Sequence, residues 1–164
     1  LAGLALTSTR APALDIAALW DSAIRPAFGE ELIFRGLAFG VLFWRVKWSF
    51  KAAMLTTGLL FGAFHIPGAI FAGNLDEVWG TALITGAGGC WYAWLYMRWN
   101  RSVWVPITAH LTMNAWWTLY SAGPTAAGGE SGATWGRLFA IAVITVATVV
   151  WTKRRGPAPD ASPA

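Results

Sequence analysis

The chain has 164 residues, of which 56% are hydrophobic and 12% charged, and its mean hydropathy is +0.50. Soluble domains carry about 25% charged residues, so long uncharged runs exclude an ordinary soluble domain and argue for a membrane protein. The net charge of +4 does not make it a nucleic-acid binder, because the basic residues fall in short clusters between apolar runs and line no single face. One cysteine, Cys90, excludes a disulfide framework within the chain and reads as a small packing residue in a glycine-rich run.

The first residue is Leu1, no basic segment precedes an apolar one, and the chain reads as a piece of a longer protein with the tail of an earlier helix at Leu1 to Leu6. Residues 13–24 form an amphipathic pattern, Leu14, Ile16, Leu19 and Trp20 against Asp15, Asp21 and Arg25, which predicts a short interfacial helix interrupted by Pro26. Five apolar runs follow, at 28–44, 52–71, 78–99, 103–122 and 135–151, each near the roughly 20 residues that cross a bilayer. Beyond Gly156 the chain is rich in Pro and Ala and reads as disordered. The expected fold class is all-α, a polytopic membrane helix bundle of about five transmembrane helices plus the N-terminal interfacial helix. Its parts are a partial helix and interfacial segment at 1–25, a transmembrane domain at 26–152 and a basic, Pro-rich tail at 153–164.

Trp44, Trp48, Trp79, Trp99, Trp104, Trp135 and Trp151 fall near the ends of these runs, where an aromatic belt would place them. Gly36 with Gly40 and Gly58 with Gly62 are small-residue pairs four apart, of the kind that lets membrane helices approach closely. The loops alternate in charge. Arg45, Lys47 and Lys51 occupy the first, Asp76 and Glu77 the second, Arg98 and Arg101 the third, and Glu130 the fourth, before the closing cluster Lys153-Arg154-Arg155. By the positive-inside rule the first and third loops and the C-terminus are cytoplasmic.

Three charges stand at the head of the first run, in Gly29-Glu30-Glu31-Leu32-Ile33-Phe34-Arg35-Gly36. At the centre of a membrane helix each such charge costs about 2.5–3.5 kcal/mol on insertion scales, so it normally marks a site. Glu31 and Arg35, four apart, can pair, which leaves Glu30 for chemistry. The plainer reading makes the acids complements of a helix dipole and Arg35 a snorkelling side chain. His65 closes Phe61-Gly62-Ala63-Phe64-His65, and His110 and Asn114 share one face of the fourth run. A lone membrane histidine is most often an interhelical hydrogen bonder, but two polar groups on one stripe need a common partner. At 1.5 Å per residue, Glu31 lies roughly 21 Å above Arg45, His65 roughly 21 Å above Lys51, and His110 and Asn114 roughly 14 and 20 Å above Arg101. The four therefore share a level on three helices, which disfavours the dipole reading.

A carboxylate that takes a proton from water, an imidazole that orients it and donors for an oxyanion are what amide hydrolysis requires. Glu30-Glu31…Arg35, Phe61…His65 and His110…Asn114, in this order and over roughly residues 26–117, closely resemble the motifs of the CAAX protease and bacteriocin-processing family of intramembrane proteases. The resemblance implies that Glu30 and His65 activate water and that His110 and Asn114 stabilise the oxyanion. Glu31 and Arg35 would then support the site and Phe61 line the cavity. It implies a membrane-embedded or lipid-anchored peptide or protein as substrate, in the cytoplasmic membrane of a prokaryote. The metal question stays open. A glutamate mechanism without metal suits these residues, and Glu30, His65 and His110 are the candidate ligands if zinc is present, although no His-Glu-x-x-His pair stands on one helix. Two other functions use the same residues: a catalytically silent scaffold for bacteriocin immunity or partner binding, and a small transporter or proton relay.

Overall fold

The computed structural model describes residues 15–73, 75–120 and 131–155. The segment at Leu1 to Leu6, Glu130 of the fourth loop and the Pro/Ala-rich tail beyond Gly156 lie outside them. Every regular element among the described residues is helical: α1 (16–45), α2 (Phe50–Phe64), α3 (Ile66–Phe71), a 3₁₀ turn at Leu75–Glu77, α4 (Val78–Arg98), α5 (Trp104–Leu119) and α6 (Ser131–Arg155). The fold is an all-α membrane bundle. Lys153 and Arg154 belong to the last helix and not to a tail.

The expected break at Pro26 is absent, and the interfacial segment and the first span form one helix. Asp15 caps it by accepting from the Ala18 amide at 3.0 Å. Proline normally breaks a helix because its ring strikes the carbonyl four residues back. Here Trp20–Ile24 form a wide π-type turn, and the Arg25 amide bonds back to the Trp20 carbonyl, five residues away. That wider register takes Pro26 off the clash.

Wide turns recur at Leu32–Phe39 and Val41–Arg45, and they have a geometric consequence. The buried stripe of α1 is Ala23, Ala27, Glu31, Arg35, Phe39 and Phe43, spaced by four throughout. In a pure α-helix a row spaced by four drifts about 40° per step, or about 200° over this length. Turns that hold more than four residues rotate it back, so one face meets the bundle along the whole helix.

The polarity is inverted relative to a soluble protein. Glu31 and Arg35 are 0% and 1% exposed, whereas Leu59 and Leu83 are both 73% exposed and Leu32, Ile33 and Leu37 also face outward. Such a surface fits lipid, and the stretches Phe50–Phe71 and Thr134–Arg154 are long and apolar enough to cross a membrane.

α2 and α4 pack most closely. Side chains on Gly58 or Gly62 would strike Cys90, the Ala82 carbonyl and Gly86 across the interface. A Cβ on Gly36 would meet nothing within 4 Å and one on Gly40 only the Trp44 ring of the same helix, so the expected seam on α1 is not a close helix contact. α6 lies along α4 through indole–hydroxyl bonds, Trp91 Nε1 to Thr145 at 2.9 Å and Trp99 Nε1 to Thr148 at 3.1 Å. Trp44 and Trp99 therefore turn inward, while Trp48, Trp79, Trp104, Trp135 and Trp151 stay exposed. Arg101 lies over the Trp44 ring at 5.1 Å and Trp99 stacks on Trp151, which brings the first loop, the third loop and the C-terminal end of α6 together.

Candidate active site

α2 carries Phe61 and His65, and its end is shaped by a proline two residues on. Pro67 has no amide hydrogen and its ring crowds the carbonyl of Ala63. The helix breaks at His65, whose amide bonds to the Gly62 carbonyl at 3.1 Å instead of reaching Phe61. The Phe61 carbonyl is thereby free for the imidazole of His65, whose Nδ1 donates to it at 2.8 Å. That bond sets the ring so that Nε2 faces outward toward α1.

Glu30 and Glu31 meet different surroundings because adjacent helical residues point about 100° apart. Glu31 is sealed: its Oε1 accepts from Arg35 Nη1 at 3.0 Å and from His110 Nδ1 at 2.8 Å. Arg35 also donates through Nη2 to the Gly89 carbonyl of α4 at 2.9 Å, and its guanidinium lies over the rings of Phe61 and Tyr92. Glu31 Oε1 and Arg35 thus form a buried charge-assisted pair that further bonds to His110 and Gly89 support, while Glu31 Oε2 is buried without a hydrogen-bond partner among the described residues. Glu30 stays partly accessible, with Oε2 3.8 Å from His65 Nε2; both side chains keep surface, 17% and 27% respectively. Glu30 Oε2 has no hydrogen-bond partner among the described residues.

Three helices therefore bring Glu30, Glu31, Arg35, Phe61, His65 and His110 together. Phe61 lies among them, 4.7 Å from the His65 ring and 6.1 Å from that of His110. Asn114 lies one turn beyond His110 on α5, half-buried, and no side-chain bond holds it among the described residues. α4 supplies two residues that the sequence reading did not single out. Gly89 gives the carbonyl for Arg35, and Tyr92 stacks on His110 at 5.2 Å with 20° between the rings. Neither contrasts with its apolar surroundings; the only signal for Gly89 is its place in the glycine run that meets Gly58.

The candidate zinc ligands Glu30, His65 and His110 do not come together as a set. His110 turns Nδ1 to Glu31, and no three His, Cys, Asp or Glu side chains converge on a metal position among the described residues. The donors as folded do not fit a three-ligand zinc site.

An all-α bundle with an apolar exterior and ionisable groups gathered in its core defines a membrane protein with a buried polar site. The chain belongs to the family described as type II CAAX prenyl endopeptidase, Rce1-like, whose model matches residues 12–116. It is also similar to YdiL of Bacillus subtilis (strain 168), a protein whose name gives it provisionally as a membrane peptidase. The two are 39% identical over 85 residues, which is 52% of this chain and 29% of YdiL. The chain thus spans less than a third of that relative's length. No solved structure matches the chain.

Proposed function

We propose that this protein is an intramembrane endopeptidase of the multi-pass type, acting on a membrane-embedded or lipid-anchored peptide or protein in the cytoplasmic membrane of a prokaryote. The observation that carries the reading is the pairing of Glu30 Oε2 with His65 Nε2 at 3.8 Å, beside a Glu31 already consumed by Arg35 and His110. That separation is too long for a direct hydrogen bond and suits one water held between the two groups. With Nδ1–H committed to the Phe61 carbonyl, neutral His65 offers a lone pair at Nε2. Such a water donates one hydrogen to Glu30 and one to His65, and its own lone pair is left to attack a carbonyl carbon.

Glu30 takes the proton as the C–O bond forms, and later returns it to the amine as the C–N bond breaks. His110, with Nδ1–H on Glu31, and Asn114 one turn away face the developing oxyanion from α5; for His110 to donate from Nε2 both its ring nitrogens carry protons, and Glu30 and Glu31 together match its charge and that of Arg35. Phe61 walls the site. No step runs through a metal.

The test is cleavage of a fluorogenic peptide by protein in detergent or liposomes. Glu30→Gln is expected to lower turnover by about a hundredfold to ten-thousandfold with the unfolding midpoint unchanged. Full cleavage by that variant would overturn the role of Glu30, whereas normal biological function in a variant that no longer cleaves would favour a silent scaffold. Turnover is expected to survive EDTA, and a loss restored by zinc would overturn the metal-free step.

A further inference from the structure

Tyr92 stands on α4, a helix that contributes none of the proposed reacting groups, yet its ring is buried against two members of the site. It stacks on His110 at 5.2 Å with an interplanar angle of 20°, and the Arg35 guanidinium lies over it at 5.1 Å. Among the described residues its hydroxyl donates only to the Met113 sulfur, at 3.6 Å. Face-to-face packing constrains the plane of an imidazole but not which edge points where. The Glu31 carboxylate makes the second choice, since Nδ1 bonds to it at 2.8 Å.

We propose that Tyr92 is a positioning residue for His110: its ring fixes the imidazole plane while Glu31 selects the edge, so that Nε2 is held in one orientation. The aromatic face carries this role, and the hydroxyl does not. Arg35 resting on the same ring ties the position of Glu31 to that of His110. The catalytic part of this inference rests on the endopeptidase reading above; the positioning part does not.

The experiment uses the fact that the chain has only two histidines. Imidazole ¹⁵N and ¹H resonances of the full chain in detergent are assigned with His65→Gln. In the unmodified protein, His110 ring protons are expected upfield of those of His65, with cross-peaks to the Tyr92 ring, and this measurement needs no Tyr92 variant to fold. Tyr92→Phe is expected to keep the His110 ring resonances and the turnover. Tyr92→Leu is expected to move the His110 ring protons downfield and broaden them, and to lower kcat by about tenfold to a hundredfold with KM within about twofold, the scale of lost support behind a site residue. Absence of the cross-peaks, or an unchanged His110 signal in Tyr92→Leu, overturns the proposal. If the unmodified protein cleaves no peptide, the endopeptidase reading fails while the resonance measurements still decide the role of Tyr92.

Discussion

Glu30 and Glu31 are chemically identical neighbours with opposite fates. Glu31 pairs with Arg35 and His110 inside the bundle; Glu30 Oε2 lies 3.8 Å from His65 Nε2. Their substitutions should separate accordingly. Glu30→Gln is expected to remove turnover and leave stability alone. Glu31→Ala strands a guanidinium that is 1% exposed, and breaking a buried pair in this way costs about 3–5 kcal/mol, read as a lowered unfolding midpoint in detergent. Asn114→Ala should lower kcat by about a hundredfold to a thousandfold with little change in KM, the size of one lost oxyanion donor. The pairing of Glu31 with Arg35 was legible from spacing alone. That His110 joins it was not, because 79 residues separate the two partners.

At the scale of the element, helices here are shaped where they break pattern. Pro67 ends α2 at His65 and turns the Phe61 carbonyl over to the imidazole. Pro67→Ala restores an amide donor to the Ala63 carbonyl and lets the helix run on, so that the His65 amide competes for the Phe61 carbonyl; the unfolding midpoint is expected to rise and turnover to fall. The glycine pairs divide in the same concrete way. Gly62→Ala would press a methyl group on the Ala82 carbonyl and is expected to destabilise by about 1–3 kcal/mol. Gly36→Ala meets open space and is expected to be neutral, or stabilising by up to about 1 kcal/mol. Both pairs look alike in the sequence, since spacing records a possible seam and not whether a partner helix lies over it.

For the whole molecule, the polarity inversion and the gathering of basic segments at one end lead to a topology that can be measured. In a Cys90→Ser background, Arg45→Cys and Arg98→Cys are expected to react with a membrane-impermeant maleimide from one side of the bilayer, and Leu75→Cys from the other. Labelling of Arg45→Cys and Arg98→Cys from opposite faces would overturn the multi-pass arrangement. The exposed leucines along α2 and α4 need lipid or detergent, so removal of detergent is expected to bring aggregation, read by light scattering.

The all-α class and membrane character follow from composition and run length, because both are one-dimensional properties of a chain. Rotation about each helix axis is not. The wide turns of α1 hold a stripe spaced by four on one face, against a drift of about 200° that regular periodicity would impose. Only with that face assembled against α2, α4 and α5 does it emerge that Glu31 is spent on Arg35 and His110, that Glu30 meets His65, and that Tyr92 and Gly89 belong to the site. Such contacts depend on which surfaces three separate helices present to one another, and no spacing within a single run encodes that.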